Sequence, residues 1–220
     1  MSGARLTALQ VRVLRVLAAL TPRWTLTGGA ALAAVHLRHR ETRDLDLFWR
    51  KRQKLGELVR DALSALREDG LEAQTLRAAP AFAQLRADDG SDVCIIDLVA
   101  EPFGPIEPPQ EAEVGGTQIA VDSAHEILVN KLTTLLNRSE LRDLVDVEAL
   151  LSAGGDLDRA IRQAPEKDGG FSPLTLGWVL KDFNPRPAAR ALGWDEAEAD
   201  RIAAFLESLV QRLAAAGAPE

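Results

Sequence analysis

Two aspartates two residues apart, Asp44 and Asp46, stand in an otherwise apolar run with Leu45, Leu47 and Phe48. A strand through this run points both carboxylates to one face, about 7 Å apart along it. Hard oxygen donors fixed on a rigid element are what one or two Mg²⁺ ions require. A third carboxylate, Asp97, lies alone in the apolar run from Cys94 to Val99. Burying it without a partner is costly, and a metal ion or a hydrogen-bond donor would offset that cost. The plainer reading is a strand-end aspartate reaching solvent. Asp92 sits in a polar turn and is the weaker substitute. Upstream, Gly28-Gly29 has no Cβ, so its backbone N–H groups can come close to a phosphate. A glycine turn followed by a two-carboxylate strand is a layout for phosphoryl or nucleotidyl transfer.

The stretch GGAALAAVHLRHRETRDLDLF, Gly28 to Phe48, resembles the signature of the AbiEii/AbiGii-type nucleotidyltransferases. They are a bacterial branch of the DNA polymerase β-like nucleotidyltransferase superfamily. The matching positions are Gly28, Gly29, His39, Arg40, Thr42, Asp44 and Asp46. The resemblance covers about residues 24–50 and recurs near residues 125–150. It implies an α/β (α+β) fold, with a mixed sheet and flanking helices followed by a helical bundle. It also implies metal ligation by Asp44, Asp46 and Asp97, and nucleotide binding at Gly28, Gly29, Arg40 and Thr42. In the downstream motif Lys131 would hold the triphosphate, with Arg138 and Asp146 beside it and Asp143 catalytic. Asp143 and Asp146 are three apart, hence on one helical face, and either could orient Lys131 or Arg138. The plainer reading of these charges is a salt-bridged helix surface. Gly29 stands where the wider superfamily often has serine, but Gly-Gly is usual in this branch.

The activity so implied is transfer of a nucleoside monophosphate from a nucleoside triphosphate to an acceptor hydroxyl, with Mg²⁺ or Mn²⁺. The acceptor would be RNA, tRNA or protein. The biology implied is that of a toxin in a toxin–antitoxin or phage-defence system, with a cognate antitoxin as partner. Two alternatives stay open: a transferase for an aminoglycoside-like small molecule, and a non-catalytic descendant that binds nucleotide or a partner. The intact set Asp44, Asp46 and Asp97 argues against the second.

The rest of the composition fits such an enzyme. The chain has 220 residues, 46% of them hydrophobic, enough for a sizeable core. Its one cysteine, Cys94, can form no internal disulfide. No apolar run approaches the ~20 residues of a membrane span and no signal segment opens the chain, so a cytoplasmic protein with no membrane partner is expected. The net charge of −7 conceals an asymmetry. Residues 1–60 hold 12 Lys/Arg against 4 Asp/Glu, a balance of +8, and the remainder holds 14 against 29, or −15. Arg38, Arg40, Arg43, Arg50, Lys51, Arg52 and Lys54 surround the Asp-x-Asp run. Their field would draw in a triphosphate and a polyanionic acceptor, unless they only solvate exposed faces.

The elements that must position these residues follow from periodicity. Leu6, Leu9, Val13, Leu14 and Leu17 recur at helical spacing. Trp24–Thr27 reads as a strand, Ala30–His39 as a helix, Leu45–Trp49 as a strand and Leu55–Leu66 as an amphipathic helix. Leu71–Arg77, Phe82–Ala87 and Val93–Val99 read as strands, the last two joined as a hairpin at Asp89-Gly90. The proline-rich segment Glu101–Gly116 is expected as the loop between a catalytic core, residues 1–115, and a helical domain, residues 116–220. There Ser123 and Glu126 suggest a capping box, and helices are expected over 140–152, 156–164, 173–182 and 195–215. Trp178, Phe183, Trp194 and Phe205 are expected in the core, as is Cys94. His36 and His39 lack a second ligand cluster, so no zinc site is expected.

Overall fold

The computed structural model describes residues 6–37 and 39–218. Arg38, one of the basic cluster, lies outside the described residues. The chain divides into two units, residues 1–123 and 124–220.

The first unit opens with α1 (Ala8–Leu17), whose Thr7 and Gln10 form a capping box and whose Leu9, Val13, Leu14 and Leu17 are buried. Seven strands then form one mixed sheet: β1 (Thr25–Thr27), β2 (Asp44–Arg50), β3 (Glu72–Ala79), β4 (Phe82–Asp88), β5 (Val93–Glu101), β6 (Gln110–Val114) and β7 (Thr117–Val121). Their order across the sheet is β3-β4-β5-β2-β1-β7-β6. β2 runs parallel to β5 and antiparallel to β1, which is parallel to β7. In β2, β4 and β5 every second residue is buried, among them Leu45, Leu47, Trp49, Leu85, Ile96 and Leu98. That alternation fixes the register, because a one-residue slip would turn these side chains out of the core. Cys94 is among the buried residues of β5 and is a free thiol.

Two segments depart from the sequence reading. The glycine helix starts earlier and ends sooner than Ala30–His39: α2 (Gly28–Ala31) runs into a π-turn over Leu32–His36. There Leu37 N–H bonds the Leu32 carbonyl at 2.8 Å, an i to i+5 bond that widens the last turn. The segment Glu101–Gly116, expected as loop, contributes β6. Its partner β7 follows through Gly115-Gly116, at φ 58° and 82°. A two-residue turn of type I′ needs φ > 0 at both positions, so Gly-Gly was a legible hairpin signal. α3 (Leu58–Glu68) completes this unit, with Ala62 and Leu66 buried.

The second unit has helices and no strand among its described residues: α4 (Ala124–Asn137), α5 (Leu141–Ser152), α6 (Leu157–Gln163), α7 (Pro173–Lys181), α8 (Pro185–Ala191) and α9 (Glu196–Ala216). α8 lies between the helices expected over 173–182 and 195–215 and was not among them. Pro185 falls in the first turn, where a missing N–H costs nothing, and Asn184 caps it by accepting from Arg186 N–H. The expected aromatic core is corrected. Trp178 is 71% exposed, and Phe183, Trp194 and Phe205 are half-buried. Leu128, Leu132, Leu135, Leu144, Leu176 and Leu206 fill the interior instead. Glu126, expected as the cap partner of Ser123, is buried in an ion pair with Lys167.

Candidate active site

A polar row crosses the middle of the sheet. Gln84 on β4 faces Asp97 on β5, Asp97 faces Asp46 on β2, and Asp46 faces Thr27 on β1. Paired residues in a ladder share a face, so these four side chains project on one side, with Asp44 two residues along. The alternation on β2 and β5 that buries leucines on the other side half-buries Asp44, Asp46 and Asp97 on this one.

The glycine turn meets the row at Asp46. Gly28 has φ +63°, and a Cβ built on it would collide with Asp46 Oδ2. A Cβ on Gly29 would come within 2.7 Å of Arg40 Nη2 and 3.2 Å of Thr42 Oγ1. Gly28, Gly29, Arg40, Thr42 and Asp46 are therefore gathered in one place. Thr42 is itself anchored, its carbonyl accepting from the buried Gln10 Nε2 at 2.9 Å.

The two carboxylates that face each other lean apart. Asp46 fills the space over Gly28, on the β1 side of β2. Asp97 Oδ1 accepts from Gln84 Nε2 at 2.9 Å, on the β4 side of β5. Like charges on neighbouring strands favour that splay. Accordingly, no three His, Cys, Asp or Glu side chains among the described residues are drawn into a metal-binding cluster. The donor set nonetheless fits a hard cation. The Cα atoms of paired strands are about 4.8 Å apart and Mg–oxygen bonds about 2.1 Å, so Asp46 and Asp97 can share one ion by side-chain rotation alone.

Sequence reasoning missed two supports of the site. Gln84 was legible in principle, because the turn at Asp89-Gly90 counts back to pair it with Asp97. Arg50, on the Asp46 face of β2, is ion-paired with Glu101 at the end of β5 and with the fully buried Asp122 after β7. His36 Nε2 lies 2.8 Å from the Asp122 carbonyl oxygen. The network ties β2, β5, β7 and the glycine helix together at one end of the site, and only the three-dimensional register brings it into being. A cleft of about 790 Å³ opens beside Asp44, lined also by Glu41, Arg43, Asp88 and Asp92. It borders the polar row without including Asp46, Asp97 or the glycine turn.

In the second unit, Lys131 is 8% exposed and its ammonium lies 2.7 Å from both Asp143 and Asp146, which are fully buried. Burial by itself would lower the lysine's pKa, but the Asp146 and Asp143 charges prevail and raise it. Arg138 Nε lies 3.3 Å from the other Asp143 oxygen and is half-exposed. The three-residue spacing of the aspartates thus does make one cation-binding face.

A family model described as the nucleotidyl transferase AbiEii toxin of type IV toxin–antitoxin systems matches residues 12–216. The chain belongs to the AbiEii nucleotidyltransferase toxin family. This AbiEii-family chain is a nucleotidyltransferase. Solved structures agree in fold. MenT4, a nucleotidyltransferase toxin from Mycobacterium tuberculosis H37Rv, is 22% identical, with 94% of this chain and 86% of that one covered at a TM-score of 0.62. A candidate nucleotidyltransferase from H. pylori is 18% identical, with 94% of each chain covered and a TM-score of 0.53. A nucleotidyltransferase-like antigen from Paracoccidioides brasiliensis is 16% identical, with 86% and 94% covered and a TM-score of 0.51. No curated protein matches the sequence. No helix among the described residues is long and apolar enough to cross a membrane.

Proposed function

We propose that this AbiEii-family enzyme transfers a nucleoside monophosphate from a nucleoside triphosphate to a hydroxyl of an RNA acceptor, tRNA included, in the cytoplasm. The observation that carries the reading is the facing of Asp46 and Asp97 across parallel strands, with the Gly28-Gly29 turn packed on Asp46. Asp44, Asp46 and Asp97 would hold Mg²⁺ or Mn²⁺, which supplies charge neutralisation at the reacting phosphate. Gly28, Gly29, Arg40 and Thr42 would bind phosphate oxygens, a task the family resemblance gives to Lys131 and Arg138 as well. Two of the three Lys131 protons face Asp143 and Asp146, which hold the ammonium in a fixed direction. Gln84 holds the Asp97 carboxylate in place, and Asp97 would take the acceptor hydroxyl's proton. The acceptor oxygen bonds to the α-phosphorus as its bond to pyrophosphate breaks. Positioning and charge supply most of the rate. A cognate antitoxin would restrain the enzyme.

A second reading, a cationic small-molecule acceptor, draws on the acidic lining of the cleft beside Asp44. One experiment separates the two. Each α-labelled nucleoside triphosphate is supplied with Mg²⁺ and total bacterial RNA and protein, beside an Asp44→Asn/Asp46→Asn control. Label in RNA from the intact enzyme alone supports the first reading. Label in protein changes the acceptor class, and label in no macromolecule leaves the small-molecule acceptor.

A further inference from the structure

Thr27 is the member of the polar row whose hydroxyl does nothing for the protein. It is 3% exposed, and its Oγ1 has no hydrogen-bond partner among the described residues. It is also the N-cap residue of α2, with extended backbone (φ −135°, ψ −170°), yet it makes no side-chain cap bond. Threonine at an N-cap ordinarily spends its hydroxyl on an N–H of the first turn. A buried hydroxyl left unpaired is destabilising and asks for an explanation in ligand or function.

Its position supplies one. Thr27 faces Asp46 in the β1–β2 ladder and directly precedes Gly28. The Asp46 carboxylate lies over Gly28. When Asp46 turns toward Asp97, as sharing a cation requires, the space over Gly28 opens next to Thr27. An oxygen that enters that space meets the turn's backbone and the Thr27 hydroxyl together.

We infer that Thr27 is a substrate-contacting residue whose hydroxyl donates a hydrogen bond to a phosphate oxygen of the bound nucleotide once Asp46 has turned off Gly28. The inference rests on the phosphate role proposed above for the Gly28-Gly29 turn. Thr27 thereby leaves its hydroxyl unspent in the resting protein and pairs it with the ligand in the loaded one. Valine preserves its branched shape and removes the donor; serine preserves the donor and removes the methyl.

The test is calorimetric binding of each nucleoside triphosphate, and of inorganic tripolyphosphate, with Mg²⁺ to the full chain, together with the thermal midpoint of each variant. Thr27→Val should weaken binding by about tenfold or more, as loss of one hydrogen bond to a charged oxygen does. Its midpoint should equal or exceed that of the parent, because a buried unpaired hydroxyl has gone. Thr27→Ser should bind within a fewfold of the parent. If Thr27→Val fails to fold, Thr27→Ala against Thr27→Ser carries the same comparison. Valine and parent binding alike would overturn the inference, as would serine weakened as much as valine. A parent that binds no nucleotide and no tripolyphosphate would overturn the phosphate reading of the turn itself, and with it the inference.

Discussion

Asp46 and Gly28 hold opposite ends of one steric contact, and substitution at either is expected to separate chemistry from folding differently. Asp46→Asn keeps size and shape in a half-buried position, so circular dichroism and thermal midpoint should match the parent while label transfer falls to background. Near-full transfer would remove Asp46 from the metal set. Gly28→Ala places a methyl against Asp46 Oδ2 at a backbone angle of +63°. The left-handed angle alone costs an L-residue about 1–2 kcal/mol, and the displaced carboxylate adds to it. A lowered midpoint together with lost nucleotide binding is expected; a variant with parent-like stability and binding would show that the turn has room it does not display.

At the scale of elements, the Lys131 cluster between α4 and α5 makes the sharper claim. Two fully buried carboxylates share one ammonium, and removing a partner from a buried ion pair leaves uncompensated charge. Lys131→Met should therefore destabilise the protein by about 3–5 kcal/mol in denaturant unfolding. A shift below about 1 kcal/mol would mean that solvent reaches the aspartates. The raised lysine pKa gives the pH signature. The contribution is complete below the unfolded lysine value of about 10.4 and is lost as pH climbs through the higher folded value. Alkaline titration of stability should show that loss in the parent and not in Lys131→Met.

Much of this element layout was legible in the sequence. The strands of β2, β4 and β5 alternate cleanly, so period 2 and an Asp-Gly turn sufficed for their placement and for the shared face of Asp44 and Asp46. Helix ends were less legible, because the π-turn at Leu32–His36 depends on packing rather than on Ala/Leu propensity. Trp178 showed the limit of the aromatic rule: helical spacing says which residues share a face, not which face is covered. The Arg50 network joins residues up to 86 positions apart, and no local pattern could announce it.

For the whole molecule, a site that binds nucleotide only in the folded state must register as added stability. At ligand concentrations near 100 times the dissociation constant the gain is about 2.7 kcal/mol, so the thermal midpoint should climb with nucleotide and Mg²⁺ together. No climb with any of the four nucleotides would count against a nucleotide substrate. The chain also carries its own reporter of opening. Cys94 is the sole cysteine, lies buried on β5, the neighbour of β2 in the sheet, and has its thiol pushed up to about 12, chiefly by burial. A thiol reagent needs both access and thiolate. Native protein should therefore be silent toward such a reagent, and each labelling event would time one excursion in which β5 leaves the sheet. The clock for breathing of the catalytic strands is already installed, with no engineered probe.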